Sequence, residues 1–334
     1  MTRDARGRLQ VAIVGAGDIS QYHLRAWRKA PAVDVVAICD VQAARASDRA
    51  AAFGIPRVYS SAAEMFGGES LDAVDIATWR ETHVELVRLA ARHGVDVLCQ
   101  KPLAPTLAEA ETLVSEVRGR IRLMVHENRR WAPQFRRVRA WIDAGDVGEV
   151  LQCVWTMHRS GLLKSAEGKR AAAERAPYMA TEKRLLLAEV FIHQLDVLRF
   201  LLGPLHMVAV RAKRTDPELP GETLASLMLE TAAGFPVTLA GSFVAPGFGS
   251  AVADRLDIIG SRSSVLLDPE RLEIRGNSNE RCDVDAGVEY QTCFDSAIAH
   301  FVESIRTGSP FETDAVDNLE TLRLVERAYE LAAG

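Results

Sequence analysis

The sequence predicts an α/β chain in two parts, a doubly wound parallel sheet followed by an α+β domain with a mostly antiparallel open sheet. Three observations carry this prediction. Short apolar runs alternate with helix-length stretches from Leu9 to about Val125. A glycine pair, Gly15 and Gly17, follows the first run directly. Beyond Pro133 the rhythm breaks, and β-like runs crowd into Met207–Leu267 with turn glycines between them.

In the first part, Leu9–Val14, Val33–Cys39, the short Val58–Tyr59, Val74–Ala77, Val95–Cys99 and Ile121–Val125 are almost wholly apolar. That is the composition of strands covered on both faces. Helix-like segments near His23–Lys29, Ala43–Phe53, His83–His93 and Thr106–Val117 separate them and provide the crossovers a parallel sheet needs. In the second part, Phe135–Ala144 reads as a helix ended near Gly145, and Val150–Thr156 as a strand. Arg159–Pro177 is polar and offers no strand. Leu185–Leu202 reads as one helix, stopped by Gly203-Pro204. Met207–Ala212, Ala225–Leu229, Pro236–Phe243, Arg255–Gly260 and Ser263–Leu267 read as strands, with Gly221, Gly234 and Gly247 in turns. Helices near Phe294–Ile305 and Val316–Leu331 finish the chain and are expected on one side of the sheet. The boundary falls at 126/127, giving 1–126 as the dinucleotide-binding domain and 127–334 as the substrate domain.

Composition excludes several classes. With 48% hydrophobic and 25% charged residues among 334, the chain is neither disordered nor fibrous. Forty Lys and Arg against forty-five Asp and Glu give a net charge of -5, which argues against nucleic acid as a partner. The five cysteines are scattered and have no metal-site spacing, so no metal and no disulfide framework is expected. Met1–Arg8 is polar, and no run reaches the roughly 18 apolar residues of a membrane span. The expected location is cytoplasmic, with no membrane partner.

Gly15-Ala16-Gly17 lies between a strand and a helix, the context of the dinucleotide-binding (Rossmann) fingerprint. Gly15 permits the tight turn. Gly17 leaves room for a pyrophosphate at the helix N-terminus, whose free N–H groups attract anions. Asp18 and Ile19, between Gly17 and the helix, count with the cofactor contacts. Ser20 takes the third position, where Gly or Ala packs closest. Asp40 ends the second strand, where its carboxylate can accept hydrogen bonds from a ribose and repel a 2′-phosphate. NAD is therefore expected rather than NADP.

Lys101, between Gln100 and Pro102, emerges past a strand's carboxyl end, where open parallel sheets collect function. A solvated surface lysine is the competing reading. In the second part, steps of four and three place Glu189, His193 and Asp196 on one helical face. A histidine backed by a carboxylate suits acid/base work at a hydroxyl carbon, whereas a core histidine beside a solvated acidic face is the bland reading. Zinc fits poorly, since no cysteine or second histidine stands near at ligand spacing. Glu127, Asn128 and Arg129 follow a strand of the first sheet; Trp155, His158 and Arg159 follow one of the second. Trp155 reads as core. Arg159 suits a ligand carboxylate, and Arg129 has a surface charge as its alternative.

Val14-Gly15-Ala16-Gly17, Gln100-Lys101-Pro102, the His193–Asp196 element and the late Gly308–Asp314 segment together resemble the glucose–fructose oxidoreductase/inositol dehydrogenase family over almost the whole chain. The chain differs from the common pattern in having Gln100 for Glu, Glu189 for Asp, Phe191 for Gly, and Thr78-Trp79-Arg80-Glu81-Thr82-His83 for a Thr-Pro-Asn stretch. The resemblance implies hydride transfer between NAD and a ring hydroxyl or ketone of a sugar, cyclitol or related polyol. It implies that His193 is the acid/base, Lys101 orients the reacting oxygen and Glu189 supports His193. Thr78, His83, Gln100 and Lys101 would lie along the cofactor, and Lys101, Arg129, Arg159, Asp196 and His193 along the substrate. Self-association into a dimer or tetramer is implied as well, and an exposed face of the second sheet would permit it. A non-catalytic nucleotide- or sugar-binding sensor on the same fold is the alternative, suggested by Trp79 and Phe191.

Overall fold

The structure, a computed structural model, describes residues 7–250 and 254–333. The chain packs as two compact units. One contains the residues through Trp131 together with Gln291–Glu320, the other Ala132–Tyr290 together with the residues from Thr321 on.

The first unit is a parallel sheet of β1 (Leu9–Val14), β2 (Val33–Cys39), β3 (Arg57–Tyr59), β4 (Ala73–Ile76), β5 (Asp96–Gln100) and β6 (Leu123–His126). Its order is β3-β2-β1-β4-β5-β6, so the direction of winding reverses between β1 and β4. Ligands of such sheets bind at the carboxyl ends beside that reversal. The crossovers are α1 (Ser20–Lys29), α2 (Ala43–Phe53), α3 (Ala62–Gly68), α4 (Arg80–Arg92) and α5 (Leu107–Val117). Thr106 and Glu109 close a capping box at the start of α5. The short α3 was not expected; Ser61 caps it by accepting from the Glu64 N–H.

Chain order alone does not anticipate that Gln291–Glu320 packs with this unit. Phe294 and Phe301, on α9 (Ala286–Thr307), pack against Tyr22 and Trp27 of α1 at ring separations of 5.3 and 6.0 Å. The chain then runs along β6, where Val125 donates to Thr313 O at 2.9 Å and Thr313 Oγ1 donates to Val125 O at 2.7 Å. This pairing covers an edge strand whose backbone groups would otherwise remain exposed.

The second unit holds a sheet ordered β14-β13-β12-β11-β7-β10-β9-β8. Its strands are β7 (Val150–His158), β8 (Leu205–Lys213), β9 (Leu224–Thr231), β10 (Pro236–Ser242), β11 (Asp254–Gly260), β12 (Ser263–Leu267), β13 (Arg271–Gly276) and β14 (Glu280–Asp283). All neighbours are antiparallel except β7 and β10. Charges in Arg271–Gly276 and Glu280–Asp283 hid the last two strands from the sequence reading. Strict alternation along β9 leaves one face of the sheet buried and the other exposed. The helices are α6 (Pro133–Asp143), the short α7 (Ala171–Arg175), α8 (Ile192–Leu202) and the part of α10 (Ala315–Ala333) from Thr321 on.

The single helix expected over Leu185–Leu202 is corrected. Leu186–Phe191 is π-helical, and α-helical winding begins at Ile192. The cause is visible in the packing. Phe191 is fully buried, and its ring occupies the space beside Gly241 of β10, where a Cβ would stand 2.8 Å from the ring.

Candidate active site

At the end of β1 the chain turns through Gly15, whose φ is +108°. A Cβ there would stand 2.5 Å from the Ala77 carbonyl oxygen, so glycine is required twice over. A Cβ on Gly17 would meet nothing within 4 Å, and the exposed Asp18 and half-buried Ile19 follow it into α1. No side chain caps α1; its Ser20 and Tyr22 N–H groups donate instead to Gly17 O and Ile19 O, both at 3.1 Å. Ser20 is buried and donates through Oγ to Gly17 O at 2.6 Å, so it ties the turn to the helix. Asp40 accepts from the Ala16 and Gln42 N–H groups at 2.7 and 2.8 Å and remains half-buried. Val41 beside it is 89% exposed. Open space at Gly17, a helix N-terminus without a side-chain cap and a carboxylate at the end of β2 fit the pyrophosphate and ribose of NAD.

Lys101 leaves the end of β5 half-buried, joined to Pro102 by a cis peptide bond. Thr78 follows β4, also half-buried. His83 is fully buried, with Nδ1 2.9 Å from Pro102 O and Nε2 3.1 Å from Thr78 O. It sits between the loops after β4 and β5, and in its neutral form its single N–H donates to one of these two carbonyls. Burial lowers its pKa, although the two carbonyls act in the opposite direction. Gln100 also turns inward, and its Oε1 accepts from the Lys101 backbone N–H at 3.0 Å. Glu127, just past β6, is fully buried; burial pushes its pKa up to about 7, against the nearby charges of Lys101, Arg130 and Arg129. Arg130 is held by Glu312 O and Asp317, both at 3.0 Å, while Arg129 stays half-buried.

In the second unit, Glu189 and His193 are half-buried, with Glu189 on the π-helical turn and His193 at the start of α8. Uniform α-helical spacing from Glu189 to Asp196 is therefore replaced by a wider turn, a distortion frequent at functional sites. Asp196 is fully buried and accepts from Thr321 Oγ1 at 3.4 Å. Arg159 donates to Asp254 at 3.2 Å, and Gln194 donates to the other oxygen of that carboxylate at 3.1 Å. Asp196 and Arg159 thus serve internal contacts of this unit. Trp155 is core, packed on Phe135. Among the described residues no group of three or more His, Cys, Asp or Glu is placed to hold a metal, and no helix is long and apolar enough to cross a membrane.

Residues 9–127 match the oxidoreductase family with an NAD-binding Rossmann fold, and residues 135–266 match the GFO/IDH/MocA C-terminal domain. D-apiose dehydrogenase of Paraburkholderia graminis is 32% identical over 96% of this chain and 87% of its own length. Inositol 2-dehydrogenase 3 of Saccharopolyspora erythraea is 27% identical over 90% of this chain and 86% of its own. A solved oxidoreductase from Agrobacterium radiobacter, in complex with NAD+, L-tartaric acid and magnesium, aligns with a TM-score of 0.90 at 30% identity. That alignment covers 98% of this chain and 97% of the other. Matched in both halves and fitted for NAD at its glycine turn, the chain belongs to the GFO/IDH/MocA family of NAD-dependent oxidoreductases.

Proposed function

We propose that the protein transfers a hydride between NAD and a ring hydroxyl or ketone of a sugar, cyclitol or related polyol. The observation that carries this reading is the half-buried Lys101 at the carboxyl end of β5, in a chain similar to D-apiose and inositol dehydrogenases. NAD, when bound, supplies the hydride acceptor. His193 takes the hydroxyl proton; every other residue of Ile192–Leu198 is buried, which supports that role. Lys101 orients the reacting oxygen and offsets its developing negative charge. Glu189 supports His193, and Asp196 organises α8 from within through Thr321. Arg129 contacts substrate from the turn after β6, and Arg159 does so from its pairing with Asp254. Gly15, Gly17, Asp18, Ile19, Asp40, Thr78 and the loops braced by His83 and Gln100 hold the cofactor.

In this reading 1–126 binds the dinucleotide, while 127–334 binds substrate and carries self-association into a dimer or tetramer, in the cytoplasm. Asp40 makes NAD preferred to NADP. The test is reduced-nicotinamide absorbance with D-apiose, inositol and related polyols, using NAD and NADP in parallel. Turnover with NAD is expected, falling about 100- to 10,000-fold in His193→Ala with NAD affinity little changed. A polyol that binds by calorimetry but is never oxidised or reduced would favour the sensor alternative and overturn the reading.

A further inference from the structure

Behind Lys101 lies a buried chain of polar side chains. His23 and Trp27 stand one turn apart on α1, Asp75 lies in β4, Gln100 ends β5 and His126 ends β6. His23 and Asp75 are 0% exposed, His126 1% and Gln100 9%. Trp27 Nε1 donates to Asp75 Oδ2 at 2.6 Å, and His23 Nδ1 lies 2.8 Å from the same oxygen. Gln100 Nε2 lies 2.8 Å from His23 Nε2 and 3.2 Å from His126 Nδ1. Gln100 Oε1 accepts the Lys101 N–H at 3.0 Å.

Proton accounting fixes the direction of each bond. A backbone N–H can only donate, so the Gln100 atom facing Lys101 is the oxygen and the other is the amide nitrogen. That nitrogen has two hydrogens and meets two ring nitrogens, both of which must accept. His23 therefore carries its proton on Nδ1, where Asp75 receives it. His126 carries its proton on Nε2. The cluster is expensive for a fold, because Asp75 Oδ1 is buried with no hydrogen-bond partner among the described residues. Apolar residues of similar size would fill the same space at less cost.

We propose that Asp75, His23, Gln100 and His126 form a positioning network. It locks the Gln100 carboxamide and, through it, the backbone of Lys101, so that the lysine side chain leaves β5 in one direction. The proposal rests on the catalytic reading of Lys101. None of these side chains touches a reacting atom; their effect passes through the Lys101 N–H.

Nitrogen NMR on the histidine-labelled full chain reads the tautomers, with Nδ1–H expected on His23 and Nε2–H on His126. Amide exchange at Lys101 reads the lock. His126→Asn puts Oδ1 where Nδ1 stood and keeps the protection, while His126→Leu and Gln100→Leu lose it. Should Gln100→Leu fail to fold, the His126 pair decides. With whichever polyol the absorbance panel finds, His126→Leu lowers kcat about 10- to 100-fold with the KM for NAD within about threefold, and His126→Asn restores it. Where no polyol is turned over, exchange and tautomers decide. Equal Lys101 protection in the Leu and Asn variants, or a His23 proton on Nε2, overturns the network. If Lys101→Ala keeps the parent rate, the catalytic reading falls instead, and the exchange result still judges the lock.

Discussion

Gly15 and Gly17 stand two residues apart and answer to different constraints. Gly15 is required by the chain itself, since both its φ and the Ala77 carbonyl exclude a side chain. Gly15→Ala should cost about 2–3 kcal/mol of stability, seen as a lower melting temperature. Gly17 faces open space, so Gly17→Val should melt as the parent does while NADH affinity, followed by fluorescence, falls at least about tenfold where the pyrophosphate approaches. A large melting shift in the valine variant would assign Gly17 a structural role. Glu127 gives a pH signature. Burial pushes its carboxyl up to about 7 in the folded chain, above the ordinary glutamate value of 4.5, so on raising the pH the unfolded chain loses this proton first. Stability from this group is full below about pH 4.5 and is lost as pH rises through about 7. Glu127→Gln should therefore gain on the parent between pH 5 and 8, by up to roughly 3 kcal/mol in urea unfolding. A gain independent of pH would rule out burial as its cause. The glycines and Asp40 were legible because their spacing is tied to a strand–turn–helix context. The burial of His83, Gln100 and Asp196 was not, because side-chain direction at a strand or helix end depends on distant partners such as Thr321.

At the scale of elements, apolar runs and crossovers predicted every strand of the first sheet, because in β1, β2, β4, β5 and β6 most side chains are apolar and covered on both faces. Half-exposed strands carry a weaker signal. β13 alternates Leu272 and Ile274 with Arg and Glu, β14 is Glu-Arg-Cys-Asp, and both were missed. The Leu185–Leu202 segment shows a different limit. Its composition is helical throughout, yet the turn around Glu189 widens because Phe191 must reach the hole left by Gly241. Gly241→Ala would set a Cβ 2.8 Å from the Phe191 ring and 2.9 Å from Met157 O. Overpacking of this kind costs about 1–3 kcal/mol. It should also push the π-helical turn, so Gly241→Ala is expected to lose turnover beyond its loss of stability. A variant that melts lower but keeps full kcat would separate the turn from the chemistry.

At the scale of the molecule, the doubly wound parallel arrangement of the first sheet was legible, and the return of Gln291–Glu320 to it was not, because helix periodicity states which face is apolar without naming its partner. The second sheet poses that question of partner most sharply. Read across the register, Ala209, Met228, Thr238, Val154, Asp257 and Leu266 form one row from β8 to β12. Met228 is 51% exposed, and Leu224 on the same face of β9 is 38% exposed. Asp257 is the only charged residue in the row. The proposed self-association would seat a second copy of the chain on this face, where a two-fold axis would set each row against itself and cover the same small and apolar side chains twice. Sedimentation at micromolar concentration should give a dimer or tetramer. Thr238→Glu with Met228→Glu would place carboxylates on both sides of such a contact, and like charges brought together there should dissociate it. The charged variant should remain folded and bind NADH as before, because its substitutions lie on an exposed face and outside the glycine turn. A parent that sediments as a monomer would remove self-association from this sheet.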